Sequence, residues 1–143
     1  MKRRMLDSSD SNGSILKGMV ATFLSLLILG PLMGIGWILA GLFGGIAARG
    51  SLRGFVAGLV GGIVLSLILI EISYYVSPGV INSIMGYTGS FYFTNNIRSI
   101  YMETKLQLGL HPLSTIISVI SEGAIIPAVG GLIGGFFLSR ESD

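Results

Sequence analysis

The stretch Ala40-Gly-Leu-Phe-Gly-Gly-Ile46 recurs in similar form twice more, as Ala57-Gly-Leu-Val-Gly-Gly-Ile63 and Gly130-Gly-Leu-Ile-Gly-Gly-Phe136. Each copy lies inside a long apolar segment and holds two glycines four residues apart: Gly41 and Gly45, Gly58 and Gly62, Gly131 and Gly135. In a helix this spacing places both glycines on one face, one turn apart. In a lipid bilayer such faces let two helix backbones approach closely and gain dispersion contacts. The pattern therefore predicts closely packed membrane helices.

The composition of the chain is that of a membrane protein. Hydrophobic residues make up 51% of the 143 residues and charged residues 11%, whereas a soluble domain carries about 25% charged residues. The net charge of +2 is too small for a nucleic-acid-binding surface. The absence of cysteine excludes disulfides, thiolate metal sites and cysteine nucleophiles. We therefore expect the lipid bilayer as a partner and no binding of nucleic acid.

Interruptions in the apolar pattern predict four membrane helices, over about 15–30, 33–48, 54–76 and 113–139. One helix over the uncharged run 20–48 would be about 43 Å long, more than the roughly 30 Å of a hydrocarbon core. The sequence Gly30-Pro-Leu-Met-Gly34 offers a break, because proline cannot continue the backbone hydrogen bonds. A single long, kinked helix over this run is the alternative. A cleaved signal peptide is disfavoured, because the first apolar run is too long and no cleavage site follows it.

The basic residues distinguish between three and four crossings. With four helices, seven basic residues lie on one side of the membrane and two, Arg98 and Lys105, on the other; with three, the ratio is six to three. Because basic residues favour the cytoplasmic side, both termini of a four-helix protein in the cell membrane are expected in the cytoplasm. Residues 1–14 are expected to form a disordered tail and residues 140–143 a short one. The seven basic residues that four crossings place on the cytoplasmic side are Lys2, Arg3, Arg4, Lys17, Arg49, Arg53 and Arg140.

The outer connection, residues 78–112, is predicted to be a loop with one short amphipathic helix near 97–106. The apolar face of that helix holds Ile97, Ile100, Tyr101 and Met102, and Arg98, Glu103 and Lys105 lie on or near the other face. A helix of this kind lies flat on a membrane surface. It is either a lid or docking surface, or a strap that only contacts lipid, and the pattern favours the strap.

Two carboxylates in apolar surroundings, Glu71 and Glu122, are the candidate site for an ion or a proton. Acidic residues inside a membrane are costly and are functional candidates by default. Both are expected in the outer half of the bundle, where they could share a polar pocket with Ser73, Ser118 and Ser121. Two neighbouring carboxylates can share a proton or hold a hard cation. In the structural alternative, Glu71 reaches the outer interface and Glu122 is neutral and hydrogen-bonded to a serine.

The backbone near Glu122 adds to this candidate site. Pro127 has no N–H to donate to the carbonyl of Gly123, which leaves that oxygen free for another partner. Interrupted helices with free carbonyls occur at ion sites of transporters.

Other chemistry has little support in the sequence. His111 is the single histidine, expected in an exposed loop, and Trp37 is expected to anchor a helix at the interface. The glycines match neither a phosphate-binding loop nor a dinucleotide fold, and no hydrolase or zinc-protease motif is present. We therefore expect no enzyme activity, no cofactor and no metal site.

The stretch Ile28-Leu-Gly-Pro-Leu-Met-Gly-Ile-Gly-Trp-Ile-Leu-Ala-Gly-Leu42 and the stretch Arg49-Gly-Ser-Leu-Arg-Gly-Phe-Val-Ala-Gly-Leu-Val-Gly-Gly62 resemble a family of small archaeal multi-pass membrane proteins. In that family a Pro-x-x-Gly entry leads to a glycine-rich helix, a short charged turn and a second glycine-rich helix. The resemblance covers about residues 15–76 and implies four helices. The family has no established activity, so the resemblance implies no function.

The sequence thus predicts an all-α, integral membrane four-helix bundle with a short outer amphipathic segment. All three glycine pairs are expected in its cytoplasmic half, so the bundle should be tightest there and wider around Glu71 and Glu122. The predicted function is non-enzymatic, that of a tightly packed oligomer or accessory subunit of a larger membrane complex. A proton- or cation-linked transporter that uses the two carboxylates is the alternative.

Overall fold

The structure, a computed structural model, describes residues 14–32, 34–87 and 92–139. The predicted tails lie outside these ranges, apart from Ser14. The predicted all-α fold is confirmed, since the described residues form helices and connections with no strand. The helices are α1 (Ile15–Leu29), a 3-10 turn (Gly30–Leu32), α2 (Gly34–Ala48), α3 (Ser51–Tyr75), α4 (Pro78–Gly86), α5 (Tyr92–Leu110) and α6 (Pro112–Ser139).

Local sequence signals set several of these boundaries. The Ser14 side chain caps α1 by accepting a hydrogen bond from the Lys17 N–H at 3.1 Å. Pro78 and Pro112 open α4 and α6, at a position where a missing N–H costs nothing. Between α2 and α3, Arg49 adopts a left-handed φ of 49°, which is uncommon for a residue other than glycine. The turn is shorter than predicted, so α3 begins at Ser51 and not near residue 54.

The first two helices form an antiparallel hairpin. A Cβ added to Gly18, near the start of α1, would lie 2.7 Å from the Cβ of Ala48 at the end of α2. At the other end of the hairpin, Gly36 lies against the backbone of Leu29. The chain therefore reverses at Gly30–Leu32, and the alternative of one long kinked helix is excluded.

Helices α1, α2, α3 and α6 pack together as a bundle with alternating directions. α1 and α3 run parallel, with Gly18 beside Ala57 and Thr22 beside Gly61. α6 runs antiparallel to α3 and parallel to α2, as the contacts described below show. The start of α1 and the end of α6 therefore lie at the same end of the bundle.

Glycines account for the closest contacts between the helices. α6 has two pairs of glycines, one in contact with α2 and the other with the start of α3. Gly130 and Gly134 lie against the carbonyls of Ile38 and Leu42 in α2, whereas Gly131 and Gly135 lie against the carbonyls of Gly54 and Gly50. Gly41 and Gly58 both contact the carbonyl of Pro127, Gly45 contacts that of Gly131, and Gly62 contacts that of Gly123. All six glycines of the repeated pattern therefore lie in contacts inside the bundle.

Within the described residues, three helical segments are long and apolar enough to cross a membrane: Ile15–Leu32, Ser51–Tyr75 and Pro112–Phe137. The fourth bundle helix, α2, is apolar but has 15 residues, or about 22 Å, which is short for a roughly 30 Å core. Large apolar side chains face outward on these helices, as contact with lipid requires. For example, Ile28, Ile35 and Leu52 are 66%, 74% and 75% exposed.

The connection over 78–112 differs from the predicted loop, because it forms two helices. α4 has no buried residue and packs against α5. The predicted amphipathic segment near 97–106 lies within the 19-residue α5, which contacts α3, α6 and the turn after α1. The buried face of α5 also differs from the predicted one: it holds Thr94, Tyr101, Thr104 and Leu108. This face is partly polar because it meets backbone carbonyls at the end of the bundle.

Candidate functional site

Above the glycine contacts the helices separate and leave open space. A small cavity of about 20 Å³ lies beside Gly62 and Gly123, with Ser66 in its lining. Beyond it, a partly open cleft of about 490 Å³ lies between α5 and α6. Here it is called the α5–α6 cleft. The bundle is thus closely packed at the end where α1 begins and α6 ends, and it is open towards the opposite end.

The α5–α6 cleft combines polar and apolar side chains from four helices. α5 contributes Ile100, Glu103, Thr104 and Gln107; α6 contributes Ser118, Val119, Glu122 and Ile126; Gly34 and Trp37 of α2 and Leu69 of α3 complete the lining. A concave site with apolar walls and a few converging polar groups is the usual form of a ligand site.

Glu122 is the acidic group that α6 places in this cleft. Its Oε1 accepts a hydrogen bond from the Ser118 Oγ, one turn earlier, at 3.2 Å. The next residue, Gly123, lies against Gly62, so α6 approaches α3 closely at this level and Glu122 lies on the cleft side. On α3, the Ser66 Oγ donates to the carbonyl of Val119 at 3.1 Å, which adds a polar link between the two helices.

Glu103 is the second carboxylate of the cleft, and sequence reasoning placed it only on the polar face of an outer helix. The Gln107 Nε2 donates to Glu103 Oε1 at 3.5 Å, a long hydrogen bond. Both residues reach the cleft because α5 folds back over α6 at His111, the single residue between the two helices. His111 itself is exposed, as expected. Pro112 signals a break between the two helices, but no local sequence signal gives the direction in which the chain turns there.

Glu71 does not join Glu122. Its side chain is exposed, as that of Glu122 is, but it is not part of the cleft lining that the structure describes. It lies on the side of α3 opposite Gly62 and Ser66, which face α6. The predicted shared pocket is therefore reduced to Glu122 and Ser118.

The two remaining serines of the predicted pocket also lie elsewhere. Ser121 is exposed and does not line the described cleft. Ser73 is 1% exposed, and its Oγ has no hydrogen-bond partner among the described residues. Its carbonyl, however, accepts a hydrogen bond from the Lys105 Nζ at 2.9 Å.

Trp37 joins the first hairpin to the cleft. Its Nε1 donates to the carbonyl of Gly30 at 3.1 Å, which ties α2 to the turn after α1. Its ring also lines both the small cavity and the α5–α6 cleft. The predicted role as an interface anchor did not include this contact with the candidate site.

Among the described residues, no group of three or more His, Cys, Asp or Glu side chains is placed to hold a metal ion. Glu103 and Glu122 instead provide two carboxylates with amide, hydroxyl and aromatic neighbours. Such a site can hold a proton, or a cation that also keeps water or other neutral ligands.

Comparison with known proteins adds no relative: no protein-family model matches the chain, and no curated protein and no solved structure matches it. The resemblance to small archaeal membrane proteins therefore stays a prediction.

Proposed function

We propose that this is a non-enzymatic, multi-pass protein of the cell membrane that binds a cation or a proton in the α5–α6 cleft and transports it. The observation that carries the proposal is the position of Glu122. It lies ten residues after Pro112, or about 15 Å along an apolar helix, and it borders an open cleft with Glu103. Ionisable residues that face a cavity within membrane helices mark ion and proton pathways.

The charge distribution supports one orientation of the protein in the membrane. The excess of basic residues near the two chain ends and the α2–α3 turn supports a cytoplasmic position for that end of the bundle. The glycine contacts then lie in the cytoplasmic half, and the α5–α6 cleft opens towards the outside. A site closed on one side and open on the other is what a transporter presents in one state of its cycle.

The single tryptophan provides a direct test of binding. Because Trp37 lines the cleft, addition of Na⁺ or Ca²⁺, or acidification, should change its fluorescence saturably in detergent. Glu122→Gln should abolish the change, whereas Glu71→Gln, outside the cleft, should retain it. The absence of a saturable change in the parent protein with all three probes, or an unchanged response in Glu122→Gln, would overturn the proposal.

An accessory subunit is the second candidate, and the position of Glu71 outside the cleft, on the face of α3 turned away from α6, favours it. Val64, Ile68 and Tyr75 surround Glu71 on the same outward face of α3 and are exposed as well. A carboxylate on an apolar face is costly in lipid, and a basic or hydrogen-bonding group on a partner helix would offset that cost. The repeated glycines do not support this role, because the bundle already uses them internally.

The test for an accessory subunit is native mass spectrometry from mild detergent. An oligomer or a complex with a co-purified protein is expected if Glu71 meets a partner, and Glu71→Gln should dissociate it. A parent protein that is only monomeric would exclude this candidate.

A further inference from the structure

Helix α5 is attached to the bundle by side chains that donate to backbone carbonyls. The Asn96 Nδ2 donates to Pro31 O at 2.8 Å, and the Tyr101 hydroxyl to Val76 O at 2.6 Å. Lys105 Nζ donates to both Ser73 O and Val76 O at 2.9 Å. These carbonyls lie at a turn and at the end of α3, where the helix itself supplies few partners.

Lys105 makes the strongest of these attachments. Its ammonium group lies at the C-terminal end of α3, where the helix dipole is negative and a positive charge is stabilised. It also lies 5.8 Å from the centre of the Tyr101 ring, within the range of a cation–π interaction. Both side chains donate to Val76 O, so the residue that caps the C-terminal end of α3 receives two of the contacts that hold α5.

The remaining contact surface of α5 is small and partly polar. Three of its four buried side chains, Thr94, Tyr101 and Thr104, carry a hydroxyl group, and Leu108 is the only large aliphatic one among them. If α5 moved away, Tyr101 and Leu108 would lose their buried apolar surface, whereas water can replace the polar contacts at modest net cost. The glycine contacts of the bundle do not involve α5, so they would remain intact.

The joint between α5 and α6 is a single residue. The His111 carbonyl accepts hydrogen bonds from the Thr115 N–H at 3.0 Å and from the Thr115 Oγ1 at 2.7 Å, which fixes the start of α6. Pro112, by contrast, has no N–H with which to hold α5. A change in backbone angles at this joint would move α5 and leave α6 in place.

We propose that α5 is a lid over the α5–α6 cleft and that Lys105 is its latch. Since Glu103, Thr104 and Gln107 belong to α5, opening the lid removes one wall of the cleft and widens the outside access to Glu122, whose side chain is already exposed at the open edge of the cleft. This inference rests on the proposed function, because it assigns the access step to the same site. Lys105 is a positioning residue, acting on the cleft through α5.

The chain contains no cysteine, so lid opening can be followed with one introduced thiol. Thr104 lies on the buried face of the lid and is 6% exposed, so Thr104→Cys should react slowly with a membrane-impermeant maleimide. Adding Lys105→Met should raise the rate at least about tenfold, because it removes two charge-assisted hydrogen bonds. Arg98→Met, which removes an exposed charge from the same helix, is the matched control and should leave the rate unchanged.

Tyr101→Phe should loosen the lid less than Lys105→Met does, because it removes one hydrogen bond and keeps the charged Lys105 side chain. It should raise the labelling rate less than Lys105→Met does, with unchanged helix content by circular dichroism. Equal rates in the parent, Lys105→Met and Tyr101→Phe backgrounds would overturn the lid, as would an equal increase in Arg98→Met. Labelling needs no added cation, so this failure is distinct from the loss of the Trp37 response that would overturn the proposed function.

Discussion

At Gly62 the backbone of α3 lies against the carbonyl of Gly123, and a methyl group on Gly62 would overlap with that oxygen. A neighbouring backbone cannot yield as the end of a flexible side chain can. The same holds at Gly41 and Gly58, which both meet the carbonyl of Pro127. At the scale of single residues, the fold depends on the absence of a Cβ at these contacts.

Gly62→Ala should therefore lower the free energy of unfolding in detergent by about 1–3 kcal/mol, the usual cost of overpacking. Gly109 in α5 is the matched control. Apart from the nearby backbone of α5 itself, no described atom lies within 4 Å of a Cβ added at this position. Gly109→Ala should raise stability by up to about 1 kcal/mol, because alanine favours the helix. Equal effects of the two changes would contradict the packing described here.

Two buried threonines should respond in opposite directions to substitution by valine. The Thr22 Oγ1 has no hydrogen-bond partner among the described residues, so Thr22→Val removes an unsatisfied group and should stabilise by about 1 kcal/mol. The Thr115 Oγ1 donates to His111 O at 2.7 Å, so Thr115→Val should destabilise by about the same amount. Thermal unfolding in one detergent measures both, and a destabilised Thr22→Val variant would show that its hydroxyl has a partner.

At the scale of the elements, the hairpin of α1 and α2 sets the number of crossings that we expect of the chain in a membrane. Because Gly18 lies beside Ala48, the chain returns at the end of α2 to the side where α1 began. α2 is shorter than a full span, and the close approach of its glycines to α6 compensates by holding it against a longer helix.

Single cysteines introduced into the cysteine-free chain should reveal this arrangement. Ile15→Cys and Ser51→Cys should react with an impermeant thiol reagent from the same side of sealed vesicles. Leu32→Cys and Ser83→Cys should react from the opposite side. Reaction of positions 15 and 51 from opposite sides would support the alternative of one long, kinked helix and contradict the hairpin.

Sequence reasoning predicted the bundle helices well, because strong breaking signals separate them. Gly30-Pro31 marks the first reversal, and Pro112 opens α6. It missed α4 and most of α5, because the mixed composition of residues 78–110 has no strong apolar period. It also missed the pairing of α5 with α6, which depends on the backbone direction at His111 and on contacts distant in sequence.

The sequence contains enough information to predict that Glu71 lies on the outward face of α3. Small residues at Gly54, Gly58, Gly62 and Ser66 mark one face of α3 at four-residue spacing. Glu71 follows Gly62 by nine residues, which places it half a turn away from that face. The hydrophobic pattern hid this, because both faces of a membrane helix are apolar and only residue size tells the inner from the outer.

At the scale of the whole molecule, the two ends of the bundle differ in what they do. One end is held by close contacts between glycines and the backbone carbonyls of neighbouring helices. The other end carries the α5–α6 cleft, two carboxylates and a helix attached by polar contacts. The proposed transport requires one half that stays rigid and one half that opens.

Flux measured in proteoliposomes tests this division of roles most directly, with gradients of H⁺, Na⁺ and Ca²⁺ applied in turn. The parent protein should carry at least one of these ions faster than protein-free liposomes do. Glu122→Gln should reduce that flux to the background, and Glu71→Gln, an equal change outside the cleft, should preserve it. Absence of flux in the parent under every gradient, or a Glu122→Gln variant as fast as the parent, would contradict transport through the α5–α6 cleft.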